Sequence, residues 1–196
     1  FGSESGYGFL LNNEGRASTP GPTLVFNRGE PVQITLINDL PESTAIHWHG
    51  IELESYFDGV PEFSGVSGNI TPWIAPGGRF DVRFAPPRAG TFIYHTHSHD
   101  SGQLAKGLYG AVIVLEPGQS YDPDTDHVFI LGLNGNAGAE AGGREEVLLN
   151  GGQWSSMAMK AGIPNRLRLI NITHDRTGLT FVLMRQLEAA SWKSLA

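Results

Sequence analysis

The chain has 196 residues, of which 40% are hydrophobic and 17% are charged, and its net charge is −7. It is too apolar for a disordered protein, and it has no apolar run long enough for a membrane-spanning helix. No long basic cluster is present, which argues against a nucleic-acid partner, and the absence of Cys means that a bound metal would need His or carboxylate ligands.

Short segments with alternating hydrophobic residues run along the chain, separated by turns rich in Gly and Pro. Alternation at residues 32–36 and 80–84 predicts two half-buried strands. Further strand-like runs cover residues 44–51, 90–97, 110–115, 127–133, 166–172 and 180–184. One short helix is predicted at residues 101–106. Because almost no helical period is present, the pattern predicts an all-β protein built as an antiparallel sandwich.

The chain is predicted to contain two domains of the same type. Residues 29–38 (GEPVQITLIN) and 162–171 (GIPNRLRLIN) share Gly, Pro, Leu, Ile and Asn in register, which indicates an internal repeat. An aperiodic, Pro-containing stretch lies between the copies, and within it we assign residues 119–126 as a linker. The first domain then covers residues 1–118, and residues 127–196 are expected to be the start of a second, truncated domain.

Two His-x-His pairs lie on predicted strands. The first pair is His47 and His49, and the second is His95 and His97. Because alternate residues of a strand point to the same face, each pair presents two imidazoles on one side of the sheet. Two such strands facing each other could surround a metal cluster, and imidazole ligands without thiolate suit copper, zinc, iron or nickel.

The histidine pairs belong to longer motifs that occur in a fixed order. These are HWHG at 47–50, DGVP at 58–61, APGGRFDVRF at 75–84, GTFIYHTH at 90–97 and QLAKGLYGAVIVLEPG at 103–118. Together they resemble the N-terminal cupredoxin domain of multicopper oxidases, the laccase-like family, over most of residues 20–118. The second domain resembles that family's copper-free middle domain more weakly, through LLNG at 148–151 and the repeat. The resemblance implies cupredoxin-like Greek-key β-sandwich domains.

The resemblance also implies a copper-binding role for each of the four histidines. The first His of the family's HWHG motif binds the type 2 copper and the second binds a type 3 copper, which implies these roles for His47 and His49. Both His of the Y-H-x-H motif bind the type 3 pair, which implies the same for His95 and His97. The family supplies four further His and a Cys-containing type 1 copper site from a C-terminal domain. We therefore expect a C-terminal segment or chain of the same oxidase as a partner.

Two other residues of the first domain are candidates for a role beside the copper ions. Asp58, in DGVP, matches an acidic position that the family places near the type 2 copper, where a carboxylate can supply protons to reduced oxygen. The alternative is an ordinary turn Asp before Gly. His99 continues the face of the second His-x-His pair, and a supporting or substrate-side role is favoured over direct ligation.

The second domain is expected to bind no metal. At the offset of the repeat, the HWHG histidines correspond to Thr180 and Val182, neither of which is a copper ligand. His127 and His174 lack a His-x-His partner and are interpreted as strand-end or loop residues.

The first hypothesis for function is part of a laccase-like multicopper oxidase. Such an enzyme couples one-electron oxidation of a phenol, aromatic amine or metal ion to four-electron reduction of dioxygen to water. The alternatives are a copper-storage or copper-delivery cupredoxin without turnover and a two-domain, nitrite-reductase-like copper protein.

The resemblance implies a periplasmic or extracellular location, and the start at Phe1 without a signal segment suggests a processed or clipped chain. Dioxygen and a small reducing substrate are the other expected partners, with no membrane contact.

Overall fold

The computed structural model describes residues 6–12, 15–133, 147–152, 158–159, 162–173, 182, 184–185, 188–189, 191 and 193. Strands make up most of the regular secondary structure in this part of the chain. Its helical elements are two short turns, a 3-10 turn at Ser55–Phe57 and a π-helical turn at His99–Leu104. No helix in the same residues is long and apolar enough to cross a membrane. The all-β prediction is confirmed.

The strands follow one another closely along the chain. In order they are β1 (Gly21–Asn27), β2 (Val32–Ile37), β3 (Ile46–His49), β4 (Gly65–Val66), β5 (Asn69–Ile70), β6 (Arg79–Phe84), β7 (Gly90–Thr96), β8 (Tyr109–Leu115), β9 (Asp126–Leu133), β10 (Val147–Leu149), β11 (Arg166–Asn171), β12 (Met184–Arg185) and β13 (Glu188–Ala189).

Two layers of strands enclose the main hydrophobic core. The first layer is a four-stranded sheet in the order β1-β8-β7-β3, and the second is the antiparallel pair of β2 and β6. The core between them includes Trp48 of β3, Phe92 and Tyr94 of β7, Val112 and Val114 of β8, and Phe80, Val82 and Phe84 of β6. The alternation seen in the sequence of β6 thus reflects one face in the core and one face toward solvent.

Strand β8 lies between two cores and is buried along its whole length. Val112 and Val114 point into the main core, whereas Tyr109 and Ala111 join a second cluster with Ile130 of β9. The sheet of β10, β9 and β11 therefore packs against the outer face of the first sheet. Burial on both faces explains why β8 reads as a nearly continuous hydrophobic run.

The topology differs from an antiparallel sandwich in two places. β1 pairs in parallel with β8, and β11 pairs in parallel with β9. Hydrophobic alternation identifies a strand but carries no information about its partner or direction. β1 itself was not predicted, because Pro20 and Pro22 read as a turn. Its position at the edge of the sheet accommodates Pro22, which has no N–H for a ladder.

The division into two domains stays a prediction. Residues 116–125 contain no strand, and β9 begins at Asp126. The two copies of the repeat pair differently, since β2 pairs antiparallel with β6 whereas β11 pairs in parallel with β9. The predicted strand at 180–184 lies mostly outside the described residues, and Met184 begins β12.

Candidate metal centre

Strands β3 and β7 bring the two His-x-His motifs side by side. In this antiparallel pair His47 lies opposite His95, and Trp48 lies opposite Tyr94. Because side chains alternate along a strand, His47 and His49 share one face, whereas Trp48 points into the core with 1% of its surface exposed. The register of the two strands therefore places imidazoles of both motifs next to one another.

Three of these imidazoles form a compact group. One ring nitrogen from each of His47, His49 and His95 lies within 4.8 Å of the other two. The Nε2 atom of His95 is 3.4 Å from the Nδ1 atom of His49. Both nitrogens can reach one ion between them, because metal–imidazole distances are about 2 Å.

The fourth histidine, His97, lies at the border of this group. It follows the last residue of β7, and its side chain is exposed. Its ring centroid is 5.7 Å from that of His47 and 6.2 Å from that of His95. The structure thus brings all four predicted histidines together, while their role as ligands stays a prediction.

Backbone carbonyls orient two of the rings. The Nδ1 atom of His47 donates to the carbonyl oxygen of Asp58 at 2.7 Å, and the Nδ1 atom of His95 donates to that of Thr96 at 2.7 Å. A carbonyl oxygen only accepts, so the proton of each neutral ring is on Nδ1 and the lone pair is on Nε2. Proteins commonly orient a metal-binding imidazole in this way, through a hydrogen bond from the ring nitrogen that does not bind the metal.

Burial also favours the neutral form that binds metals. Burial lowers the pKa of His95 to about 4, repulsion from the neighbouring histidines acts in the same direction, and the hydrogen bond to Thr96 opposes it. Burial and the proximity of His47 lower the pKa of His49 as well. Both rings are therefore neutral near pH 7 and present lone pairs to a cation.

Asp58 lies beside His47, while its role in proton supply stays a prediction. Its Oδ1 atom is 3.4 Å from His47 Nδ1, and its Oδ2 atom accepts a hydrogen bond of 2.9 Å from the hydroxyl of Ser64. The carboxylate is partly exposed, with 31% of the side-chain surface accessible. The carboxylate therefore contacts both solvent and the histidine group. Ser64, which holds the carboxylate, has no distinguishing sequence motif and was not predicted.

A buried polar group beneath the histidines was also missed by sequence analysis. Thr44, Thr96 and Gln103 are 6%, 0% and 1% exposed and hydrogen-bond to one another. Gln103 begins the QLAKGLYG motif, but the motif alone does not show that its amide is buried.

The other candidate residues lie apart from this centre or outside the described part. His127 is buried, and its Nε2 faces Asn165 Oδ1 at 3.0 Å. Val182 is exposed, whereas His174 and Thr180 lie outside the described residues. His99 belongs to the π-helical turn, but its side chain lies outside what the structure describes.

The donor set fits copper. It consists of imidazole nitrogens only, three of them close enough to share one or two ions. Two of the rings are fixed in the tautomer that binds through Nε2. Imidazole ligation without thiolate suits copper as well as zinc, iron and nickel, so the geometry alone leaves the metal open.

Comparison with known proteins favours copper among these metals. A family model described as multicopper oxidase matches residues 14–119. The chain is 43% identical over 93 residues to multicopper oxidase MCE of Talaromyces pinophilus, which is 47% of this chain and 14% of that protein. It is 34% identical over 181 residues to laccase-3 of Botryotinia fuckeliana, which is 80% of this chain and 38% of that protein. It is 38% identical over 116 residues to a copper resistance protein A homolog of Pseudomonas syringae pv. tomato, which is 57% of this chain and 18% of that protein.

A solved structure shows the same similarity in three dimensions. The multicopper oxidase of Pseudomonas thermotolerans superposes with a TM-score of 0.66 and 30% sequence identity, over 80% of this chain and 40% of that one. The chain therefore spans less than half the length of the relatives and of the structure that it matches. The residues compared include the strands that carry the histidines, since the family match extends over β3 and β7.

Proposed function

Because the chain belongs to the multicopper oxidase family and has a cupredoxin β-sandwich fold, we propose that it supplies half of a trinuclear copper centre in a laccase-like oxidase. The observation that carries this proposal is the register of β3 and β7, which places His47 opposite His95 and groups the imidazoles of both motifs. The relatives are named multicopper oxidase and copper resistance protein, which supports copper as the metal.

Each histidine has a separate role in this proposal. His47 would bind the type 2 copper, and His49, His95 and His97 would bind the type 3 pair. The closeness of His49 Nδ1 and His95 Nε2, at 3.4 Å, supports their sharing of one ion. When bound, copper would supply the electron transfer that couples oxidation of a small reducing substrate to four-electron reduction of dioxygen to water.

The protein itself would position the ligands and supply protons. The carbonyls of Asp58 and Thr96 hold the rings of His47 and His95 so that Nε2 is available. The carboxylate of Asp58, held by Ser64 and partly exposed, would carry protons from solvent toward the centre.

Other parts of the oxidase would complete the site. The sequence has no Cys, so the thiolate of a type 1 copper would come from another segment or chain. His49 and His97 are exposed on the chain's surface, which supports a C-terminal domain that brings further imidazoles to this face. We propose the two-domain division at residues 119–126 and a periplasmic or extracellular location on the basis of the family resemblance.

A copper-binding role without turnover is the second candidate. The similarity to copper resistance protein A of Pseudomonas syringae favours it, since that name refers to resistance and not to oxidation. The same histidines would then hold copper for storage or delivery. A two-domain, nitrite-reductase-like protein is the third arrangement that would use the same fold.

Copper content and oxygen consumption of the complete protein separate these candidates. We expect the complete protein to retain copper and to consume oxygen with a phenolic donor. His95→Ala should abolish the oxygen consumption and lower the copper content. His127→Ala is the matched control, because His127 is a buried histidine outside the group. Copper retention without oxygen consumption would favour storage or delivery, and absence of copper would contradict the proposal.

The role of Asp58 has its own test. Asp58→Asn in the complete oxidase should slow dioxygen reduction, with a loss that grows as the pH rises, because fewer protons are then available from solvent. Copper content measured by mass spectrometry should stay near full occupancy. Full activity across the pH range would show that Asp58 is a turn residue only.

A further inference from the structure

A buried glutamine joins three chain segments at the end of β7, next to the candidate ligands in sequence. Gln103 lies on the π-helical turn and is 1% exposed. Its Oε1 atom accepts hydrogen bonds from the hydroxyls of Thr44 at 2.7 Å and Thr96 at 2.8 Å. Its Nε2 atom donates to the carbonyl oxygen of Ser43 at 2.9 Å. One side chain thereby connects the helical turn, the end of β7 and the segment that leads into β3.

Thr96 connects this network to the histidines. It lies between His95 and His97, and its carbonyl oxygen accepts the Nδ1–H of His95. Its hydroxyl donates to Gln103 and accepts the backbone N–H of Ser98 at 3.1 Å. A shift of Thr96 would therefore move the ring of one candidate ligand and the backbone of the next.

The network holds one arrangement of these groups. Each polar atom of the Gln103 side chain has a partner in an environment from which water is excluded, so any other rotamer would leave buried polar groups unpaired. An apolar residue could fill the same space, but it would not fix the hydroxyl of Thr96. A glutamine here thus provides a defined geometry in addition to packing.

We propose that Gln103 is a positioning residue for the copper centre. By fixing Thr96 against Thr44 and Ser43, it holds His95 and His97 at the end of β7 in the arrangement that binds copper. The proposal rests on the function proposed above, since it requires copper at these histidines. It adds a residue that acts on the candidate ligands through Thr96.

The test compares Gln103→Leu with the unsubstituted complete protein after copper loading. Copper retention is measured by competition with a chelator, and the copper environment is measured by X-ray absorption at the copper edge. We expect retention about 10-fold weaker and an altered copper absorption spectrum, as for other changes in groups that orient metal ligands. Val82→Ala is the control, because Val82 is fully buried on β6 and lies in the other layer of the sandwich. It should lower stability without altering the copper spectrum.

A second pair of variants tests the network without altering Gln103. Thr44→Val removes a hydroxyl that donates to Gln103, whereas Thr44→Ser keeps it. The valine variant should weaken copper retention and alter the spectrum in the same direction as Gln103→Leu, and the serine variant should retain wild-type behaviour. This pair also decides the question if Gln103→Leu does not fold.

The outcomes separate this proposal from the proposed function. If the unsubstituted protein binds copper while Gln103→Leu and Thr44→Val show unchanged retention and spectra, the positioning role is overturned and the copper site stands. Equal spectral changes in Val82→Ala would also overturn it, because the effect would then follow stability alone. If the unsubstituted protein binds no copper, both proposals are overturned.

Discussion

At the scale of single residues, Gly59 determines how closely the Asp58 loop approaches β3. Its φ angle is +83°, and a Cβ atom at this position would collide with the carbonyl oxygen of Ile46. The absence of a side chain lets the carbonyl of Asp58 reach the ring of His47. Glycine is therefore favoured at position 59 for two reasons. It adopts the left-handed conformation without strain, and it allows close contact between the two backbones.

Replacement of Gly59 tests this close approach. Gly29→Ala is the matched control, because Gly29 has a φ of +78° but no atom within 4 Å of the place where a Cβ would lie. The control should lower the free energy of unfolding by about 1 kcal/mol, the cost of a left-handed conformation. Gly59→Ala should cost about 1–3 kcal/mol more because of the collision. Equal losses in urea denaturation of the two variants would contradict the packing argument.

The buried ring of His95 predicts a pH dependence of the metal-free protein. Its pKa is lowered from 6.5 to about 4, so the folded state binds fewer protons than the unfolded chain between these values. Its contribution to stability is therefore complete above pH 6.5 and is lost as the pH falls toward 4. We expect the free energy of unfolding to fall by about 2 kcal/mol between pH 7 and pH 5 on account of this residue.

The control for this prediction is a side chain that does not titrate. In His95→Gln, urea denaturation of the metal-free protein should show a fall over the same pH range that is smaller by about 2 kcal/mol. If both proteins lose the same stability, the ring of His95 is accessible to protons in the folded state.

At the scale of elements, β7 connects the candidate metal centre to the sheet of β9, β10 and β11. The end of the strand carries His95, whereas Thr91 near its start accepts a hydrogen bond of 2.7 Å from Arg168 of β11. Arg168 also forms a bidentate pair with Asp126 of β9 at 2.6 Å, with side chains only 8% and 13% exposed. A buried charge pair thus lies where the three strands meet.

Removal of one partner of this pair should be costly. Arg168→Ala leaves the carboxylate of Asp126 buried beside one distant cation, Arg166 at 3.8 Å, and should lower the free energy of unfolding by about 3–5 kcal/mol. Arg28→Ala removes an exposed ion pair with Glu116, whose side chains are 44% and 47% exposed, and should cost less than about 1 kcal/mol. Thermal or urea unfolding of the two variants measures the contrast, and similar losses would show that the pair at β9 is solvated.

At the scale of the whole molecule, the candidate ligands occupy a face that is open in this chain. His49 and His97 are exposed, while His47 and His95 are partly buried. The trinuclear copper centre proposed above would need more imidazoles than these four. The proposal therefore requires a further domain that covers this face and supplies them.

Oxygen consumption by the isolated chain tests this dependence on a partner. The copper-loaded 196-residue chain should show no turnover with a phenolic donor, because it has no Cys for a type 1 copper that accepts substrate electrons. It should also bind copper weakly or aggregate, since surfaces that the partner would cover are exposed. Turnover by a chain that mass spectrometry shows to be free of any second polypeptide would contradict the proposal.

Local patterns in the sequence were sufficient to predict most of the longer strands and the two candidate His-x-His motifs. Alternation at Val32–Ile37 and Arg79–Phe84 arises from one face in the core and one in solvent, so it is visible without a structure. The His-x-His spacing likewise places two imidazoles on one face by strand geometry alone. These periodicities involve only residues that are neighbours in the sequence. The all-β fold class and the four candidate ligands could therefore be predicted.

Only the three-dimensional structure shows how the strands pair and which of these polar groups contact one another. The parallel pairing of β1 with β8, the bond of Ser64 to Asp58 and the bonds of Gln103 to Thr44 and Thr96 all join residues that are distant in sequence or carry no periodic pattern. The ion pair of Arg168 with Asp126 is of the same kind, since its partners are 42 positions apart. These contacts depend on the register and packing of several strands at once, which no local segment encodes.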